Sequence, residues 1–287
     1  MINLLKYNVE STFCIGDIHG EFKALTSNIK KYDLKNCVLI CCGDIGFGFE
    51  KPQHYKDIIP KLNRLCKQNN IYVIFIRGNH DDPSYFDDNT IKYSNVIAVS
   101  DYTIVQIYNV DDIEQTTPCH SILCVGGATS IDRTYRIGMM FKNVQDYLRY
   151  HNCSEEEAKE KTKKLYWKNE HPVFNKEILD EIRNNNINID TVCSHTCPSF
   201  AQPTTKNGIQ YWILQDENLE EDIKFERSMM DKIHNTIYDD GHTLLNWIYG
   251  HYHYRNNEII DGVKYIMLDM MRNGNWDYYE LKNILEK

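Results

Sequence analysis

Residues 12–20, Thr-Phe-Cys-Ile-Gly-Asp-Ile-His-Gly, run a short β-prone segment straight into an Asp-x-His pair bracketed by Gly16 and Gly20. Phe22, Leu25 and Ile29 then recur at helical spacing, so strand, loop and helix follow in order. The arrangement repeats. Residues 38–42 form an apolar run ending at Gly43-Asp44, and Tyr55, Ile58, Ile59, Leu62 and Leu65 mark one side of a helix over about 54–68. A third run, 71–76, meets Gly78-Asn79-His80. Strands alternating with helices in this way imply parallel strands with right-handed crossovers, and their ligand loops gather at the carboxyl edge of the sheet. Asp17, His19, Asp44, Asn79 and His80 therefore share one rim. The glycines at 16, 20, 43 and 78 give those loops the freedom to bring backbone close to an ion.

The second half changes rhythm. Residues 96–108 and 121–125 read as antiparallel strands with a turn at Gly126-Gly127, so a second sheet is expected, closed by alternating runs at 263–268 and 276–281. Between these lie a helix over 174–183, a strand over 190–193 that feeds His195, and an apolar run at 247–249 leading to Gly250-His251-Tyr252-His253. Glu155, Glu156, Glu157, Lys159, Glu160, Lys161, Lys163 and Lys164 alternate in sign as on an exposed helix. The expectation is an α/β chain forming a single domain over 1–287, with a charged helical insertion around 141–170 and a helical lid around 215–236.

Composition narrows the class. Of 287 residues, 42% are hydrophobic and 12% aromatic, enough for a sizeable core, yet no run approaches the roughly 20 apolar residues needed to span a bilayer. Residues 1–10 lack the apolar stretch of a secretory signal, which predicts a cytoplasmic protein with no membrane partner. Several of the ten cysteines sit inside apolar runs such as 37–42 and read as small buried hydrophobes. Cys193 and Cys197 flank His195, but not at Cys-x-x-Cys spacing, and no second knuckle follows. A net charge of -9 argues against a grip on extended nucleic acid, so an anionic substrate must be attracted locally.

What remains is an ordered set of metal-type ligands: Asp17 and His19, Asp44, Asn79 and His80, His195, then His251 and His253. A lone loop histidine such as His195 is ordinarily a hydrogen-bonded residue. Carboxylates crowded at one rim are different, because they repel unless a cation compensates them. Hard oxygens mixed with imidazoles suit borderline divalent metals. His54, His120, His151, His171, His234 and His242 lie outside these blocks and are read as surface or core residues.

These blocks, spanning 14 to 253, resemble the calcineurin-like metallophosphoesterases, a superfamily defined by spaced Asp-x-His, Gly-Asp, Gly-Asn-His, His and Gly-His-x-His motifs. The resemblance implies a two-sheet mixed β-sandwich flanked by helices, a four-layer α/β/β/α fold. It implies a first metal on Asp17, His19 and His253, a second on Asn79, His195 and His251, Asp44 bridging both, and His80 acting at the leaving oxygen. Two divalent ions about 3.5–4 Å apart would clamp a phosphoryl group and activate a bridging hydroxide for in-line hydrolysis. Manganese is the first choice of metal, with iron or zinc as alternatives.

The chain lacks the Val-Asp-Arg-Gly continuation of protein Ser/Thr phosphatases, reading Ile45-Gly46-Phe47-Gly48-Phe49 instead. It is more similar to bacterial and phage-type members with a Gly-Gly-Ala-x-Ser-x-Asp-Arg segment (126–133), Trp-x-x-Glu (167–170) and Ser-His-Thr-x-Pro (194–198). Arg133 and Arg136 are candidate substrate contacts, since guanidinium groups match phosphate geometry. The expected activity is hydrolysis of a phosphomonoester or phosphodiester, with a phosphate-ester small molecule or nucleotide as substrate. The alternatives are a catalytically inactive scaffold of the same fold and a nuclease acting on short oligonucleotides.

Overall fold

The computed structural model describes residues 2–87, 90–204 and 208–282. The chain opens with β1 (Leu4–Asn8), which joins the second of two sheets, and then builds the first. There β2 (Ser11–Ile15), β3 (Cys37–Cys41) and β4 (Ile71–Phe75) pair in parallel, with Phe13 opposite Leu39 and Leu39 opposite Val73. Helices α1 (Phe22–Lys31) and α2 (Pro52–Gln68) make the crossovers. Pro52 opens α2, where its missing N–H costs nothing. After the short α3 (Ser84–Asp87), β5 (Val96–Ala98) adds in parallel to β4.

The second sheet takes β6 (Thr103–Tyr108), β7 (His120–Val125), β8 (Thr191–Ser194), β9 (Asn246–Tyr249), β10 (Asn256–Ile260) and β11 (Val263–Met267). Its order is β1-β6-β7-β8-β9-β11-β10. Between β7 and β8 run α4 (Arg133–Tyr150), α5 (Glu155–Lys161) and α6 (Lys176–Asn184), and between β8 and β9 run α7 (Ile209–Ile213) and α8 (Leu219–Asp239). The final strand, β12 (Tyr278–Leu281), returns to the first sheet, whose order is β12-β2-β3-β4-β5.

Three apolar layers hold these parts together. Strand β3 is buried on both faces, which is why it reads as an unbroken apolar run and not an alternation. Cys37, Leu39 and Cys41 pack under α1 and α2 with Leu25, Ile29, Ile59 and Leu62. Val38 and Ile40 face the other way and meet Ile122, Ile248 and Ile266 of the second sheet. Beyond that sheet, Val192 and Trp247 pack against Ile182 of α6 and Met230, Ile233 and Ile237 of α8. The result is the expected α/β/β/α sandwich. Among the described residues no helix is long and apolar enough to cross a membrane.

Two expectations need correction. Residues 96–108 are two strands in different sheets, because the turn at Ser100–Asp101 redirects the chain and the Asp101 carboxylate is drawn to Arg77 and Gly126. The run at 276–281 closes the first sheet, with Tyr279 opposite Cys14 of β2 and Trp276 stacked on Tyr32. Alternation identified a half-exposed strand but carries no information about its partner. The second sheet is mixed, as expected: β6 pairs antiparallel with β7 and β10 with β11, and its other pairings among the described residues are parallel. The stretch expected as a lid, 215–236, falls mostly on α8, seated on the second core through Leu219, Met230 and Ile233. The stretch expected as a charged insertion, 141–170, takes in the end of α4 and all of α5, and Trp167 and Glu170 within it are buried.

Candidate metal centre

The loops after β2, β3, β4, β8 and β9 converge on one edge of the sandwich. One ligand atom from each of Asp17, His19, Asp44 and His253 lies within 4.8 Å of the others. Asp17 Oδ2 stands 3.3 Å from His253 Nε2 and 3.7 Å from His19 Nε2, and the two imidazole nitrogens are 3.2 Å apart. Beside them, Asn79 Oδ1 lies 3.0 Å from His195 Nε2 and 2.9 Å from His251 Nδ1. Asp44 faces both groups, with Oδ1 3.2 Å from His195 Nε2 and Oδ2 3.8 Å from His19 Nε2. All seven residues expected from the sequence to hold metal are thus gathered in one place.

The lone pairs indicate what this arrangement is built to accept. His195 Nδ1 donates to the Cys42 carbonyl at 2.8 Å, so in the neutral ring Nε2 carries a lone pair. That lone pair faces two oxygen acceptors, Asn79 Oδ1 and Asp44 Oδ1. A cluster of acceptors aimed at one point is repulsive unless a proton or a metal ion sits among them. The same demand appears in protonation. Burial disfavours the His195 cation, but the Asp44 carboxylate outweighs it and raises the pKa to about 9. Burial opposes ionisation of Asp44 as well, yet the neighbouring His195, His80 and His19 hold its pKa well below the ordinary value. The donor set therefore fits divalent metals.

Backbone geometry fixes the ligands before any ion arrives. His19, Asp44, His251 and His253 all adopt left-handed conformations, with φ of 49°, 46°, 69° and 60°. Non-glycine residues hold such angles only where the surroundings over-determine them. Two glycines explain the tightness. A Cβ at Gly78 would overlap the Asp44 carboxylate, and one at Gly250 would overlap that of Asp17.

The supporting groups are the part sequence reasoning missed. Asp81, directly after the Gly78-Asn79-His80 block, is wholly buried and accepts from the N–H groups of Ile45, Gly46, Phe47 and Gly78 at 2.7–3.0 Å. It ties the Asp44 loop to the Asn79 loop. Burial and the Asp44 charge push its pKa up to about 7, against the pull of those N–H groups. Asn79 Nδ2 donates to Ser130 Oγ at 2.9 Å, and that hydroxyl donates to Glu170 Oε2 at 2.6 Å, which turns the Asn79 carbonyl oxygen inward. The segments 126–133 and 167–170 thus meet behind Asn79. Glu226 of α8 accepts from Thr196 Oγ1 at 2.6 Å and Thr129 N at 2.5 Å, joining the loop of His195 to the same segment. Nothing in the spacing of Glu226 announced this.

His80 lies beside the cluster, its Nε2 3.9 Å from Asp44 Oδ2, and Arg136 Nη2 contacts it. Arg133 does not join them. Its guanidinium bonds Asp216 and Asp222, both at 2.5 Å, and fastens α4 to α8. Cys193 packs against Cys14 between the sheets and Cys197 meets Arg227, so both thiols point elsewhere. Trp167 is buried in the core beneath Gly48.

The chain belongs to the calcineurin-like phosphoesterase family, whose sequence profile matches residues 11–255. It is accordingly a metal-dependent phosphate-ester hydrolase of a family that uses two divalent ions. Solved structures similar to it include a dimetal phosphatase from Danio rerio, 13% identical, covering 95% of this chain and 92% of that one with a TM-score of 0.46. Another is a phosphopantetheinyl hydrolase from Mycobacterium tuberculosis, 14% identical, covering 91% and 90% with a TM-score of 0.42. No curated protein matches the chain.

Glu170 provides a test of the support behind Asn79. Burial raises its pKa from 4.5 to about 8, so the folded protein holds this proton more tightly than the unfolded chain does. Its contribution to stability is complete below pH 4.5 and is lost as pH rises through about 8. The neutral Glu170→Gln variant escapes that loss. In the metal-free protein, the melting temperature of Glu170→Gln relative to wild type should climb with pH across this window. A difference that stays constant with pH contradicts the buried, proton-holding carboxyl.

Proposed function

We propose that Asp17, His19 and His253 hold one divalent ion, that Asn79, His195 and His251 hold the other, and that Asp44 bridges them, the centre hydrolysing a phosphomonoester or phosphodiester. The observation that carries this reading is the division of the Asp44 carboxylate, one oxygen turned to His195 and the other to His19. When bound, the ions would supply positive charge for the phosphoryl oxygens and lower the pKa of a bridging water to give the attacking hydroxide. Manganese, iron and zinc all suit the set of donors, manganese first.

The protein's own residues do the rest. Left-handed backbone at four of the seven ligands preorganises the cage. Ser130 and Glu170 hold the Asn79 amide in the orientation that turns its oxygen to the second site. His80, outside the ligand set, is positioned by its backbone N–H, which donates to Asp44 Oδ1 at 2.8 Å. It serves at the leaving oxygen, as proton donor or hydrogen-bond donor. Arg136, beside His80, is the arginine offered to the substrate phosphate.

Hydrolysis of p-nitrophenyl phosphate, bis-p-nitrophenyl phosphate and a panel of nucleotides with added manganese tests the reading, and turnover of none of them would overturn it. Asp44→Asn should lower kcat/KM by about 10³-fold, the scale of several kcal/mol of metal-borne charge stabilisation. His80→Ala should lower kcat by about 10²–10⁴-fold while both ions remain bound, as counted by elemental analysis. Loss of the ions in that variant means His80 is a ligand.

A second variant reports on the Asn79 support. Ser130→Ala should weaken binding at one of the two sites by about 10–100-fold in a manganese titration. An unchanged titration means Asn79 is not held in this way.

A further inference from the structure

Residues 133–165 add a wall that the ligand loops do not make. Arg136 of α4, and Lys163 and Leu165 just beyond α5, join Phe49, Glu50 and His80 around a cavity of about 330 Å³. It starts at His80, the residue assigned above to the leaving oxygen, so what fills it is the group that departs. The cavity is of a size that suits a small-molecule ligand, which such sites bind through apolar walls and a few polar groups.

Its chemistry is mixed in a specific way. The half-buried Phe49 ring stands edge-on to the His80 ring with centroids 6.0 Å apart, and Leu165 adds a second apolar surface. Two cations border these apolar groups. Arg136 is oriented by Asp132, whose Oδ1 lies 2.8 Å from Nε, and this leaves the far end of the guanidinium toward His80. Lys163 Nζ meets Glu50 Oε1 at 2.6 Å, and because the ammonium is largely exposed its other protons remain available. A ring can lie against Phe49 and Leu165 while an anion is held by Arg136 and Lys163.

We propose that the cavity selects a leaving group that combines a flat ring with an anionic group of its own, the chemistry of a nucleoside monophosphate. The segment 133–165 is then a part of the chain that sets specificity. This inference rests on the reading of His80 given above. In the reaction, water adds across the phosphorus–oxygen bond: its oxygen bonds to phosphorus, the bond to the leaving oxygen breaks with its electron pair, and a proton goes to the departing group.

Three substrates separate the two recognition elements in the manganese-loaded enzyme. ADP offers a leaving group with ring and anion, p-nitrophenyl phosphate one with a ring alone, and pyrophosphate one with an anion alone. Lys163→Ala should lower the kcat/KM ratio of ADP to p-nitrophenyl phosphate by about tenfold, the effect of one charge-assisted hydrogen bond. Phe49→Ala should lower the ratio of ADP to pyrophosphate by a similar factor. Both side chains are at least partly exposed, and thermal melting checks that each variant folds. Ratios unchanged in both variants overturn the proposed cavity while leaving the phosphoesterase reading intact. Failure of the wild type on all three substrates, on bis-p-nitrophenyl phosphate and on the nucleotide panel overturns both.

Discussion

Two carboxylates, Asp17 and Asp44, are buried at 0% and 1% exposure at the carboxyl edge of the sandwich. Among the described residues neither has a lysine or arginine within ion-pair distance; their charged-partner candidates are histidines. Burying an anion without compensation is costly, and imidazoles compensate only when protonated or when they share a cation with it. The arrangement of the rest of the molecule follows from that demand. The strands end where they do, the loops bend as they do, and the glycines are glycines so that the carboxylates and imidazoles can face one another across a space suited to cations.

Meeting the demand takes more than the ligands. Asp81 clamps the loops that carry Asp44 and Asn79, and its own charge is pressed upon by Asp44, so the clamp and the centre are electrostatically linked. Glu170 through Ser130, and Glu226 through Thr196 and Thr129, carry the constraint outward to the helical side. The core packing of α8 and the ion pairs of Arg133 thereby bear on the geometry of the centre at a distance. A phosphoesterase that relies on positioning and charge gains from such rigidity.

The first sheet and the ligand cluster were legible in the sequence because each strand there is a short apolar run ending in a glycine and a polar ligand. That signal is local, so residues 11–80 could be read almost element by element. The later strands were harder. Tyr278–Leu281 carries a clear alternation, but pairing with β2 is a contact across more than two hundred residues, and periodicity does not encode partners. β1 and β10 were missed for a related reason, being exposed edge strands of mixed polarity that carry little of the core's pattern. Among site residues, the proposed ligands follow a motif. Asp81, Ser130, Glu170 and Glu226 act through other residues, and only the recurrence of segments 126–133 and 167–170 hinted at two of them. Arg133 and Arg136 are three residues apart on one helix and both were candidate substrate contacts, yet Asp216, just before α8, and Asp222 on it draw Arg133 away while Arg136 reaches His80.

The central claim is that this cage of oxygens and imidazoles is completed by two cations. Anomalous diffraction from crystals of the manganese-loaded protein tests it most directly. The account predicts two peaks about 3.5–4 Å apart, one against Asp17, His19 and His253, the other against Asn79, His195 and His251, with Asp44 touching both. A single peak, or none, with Asp44 turned away from either group of histidines, would contradict it.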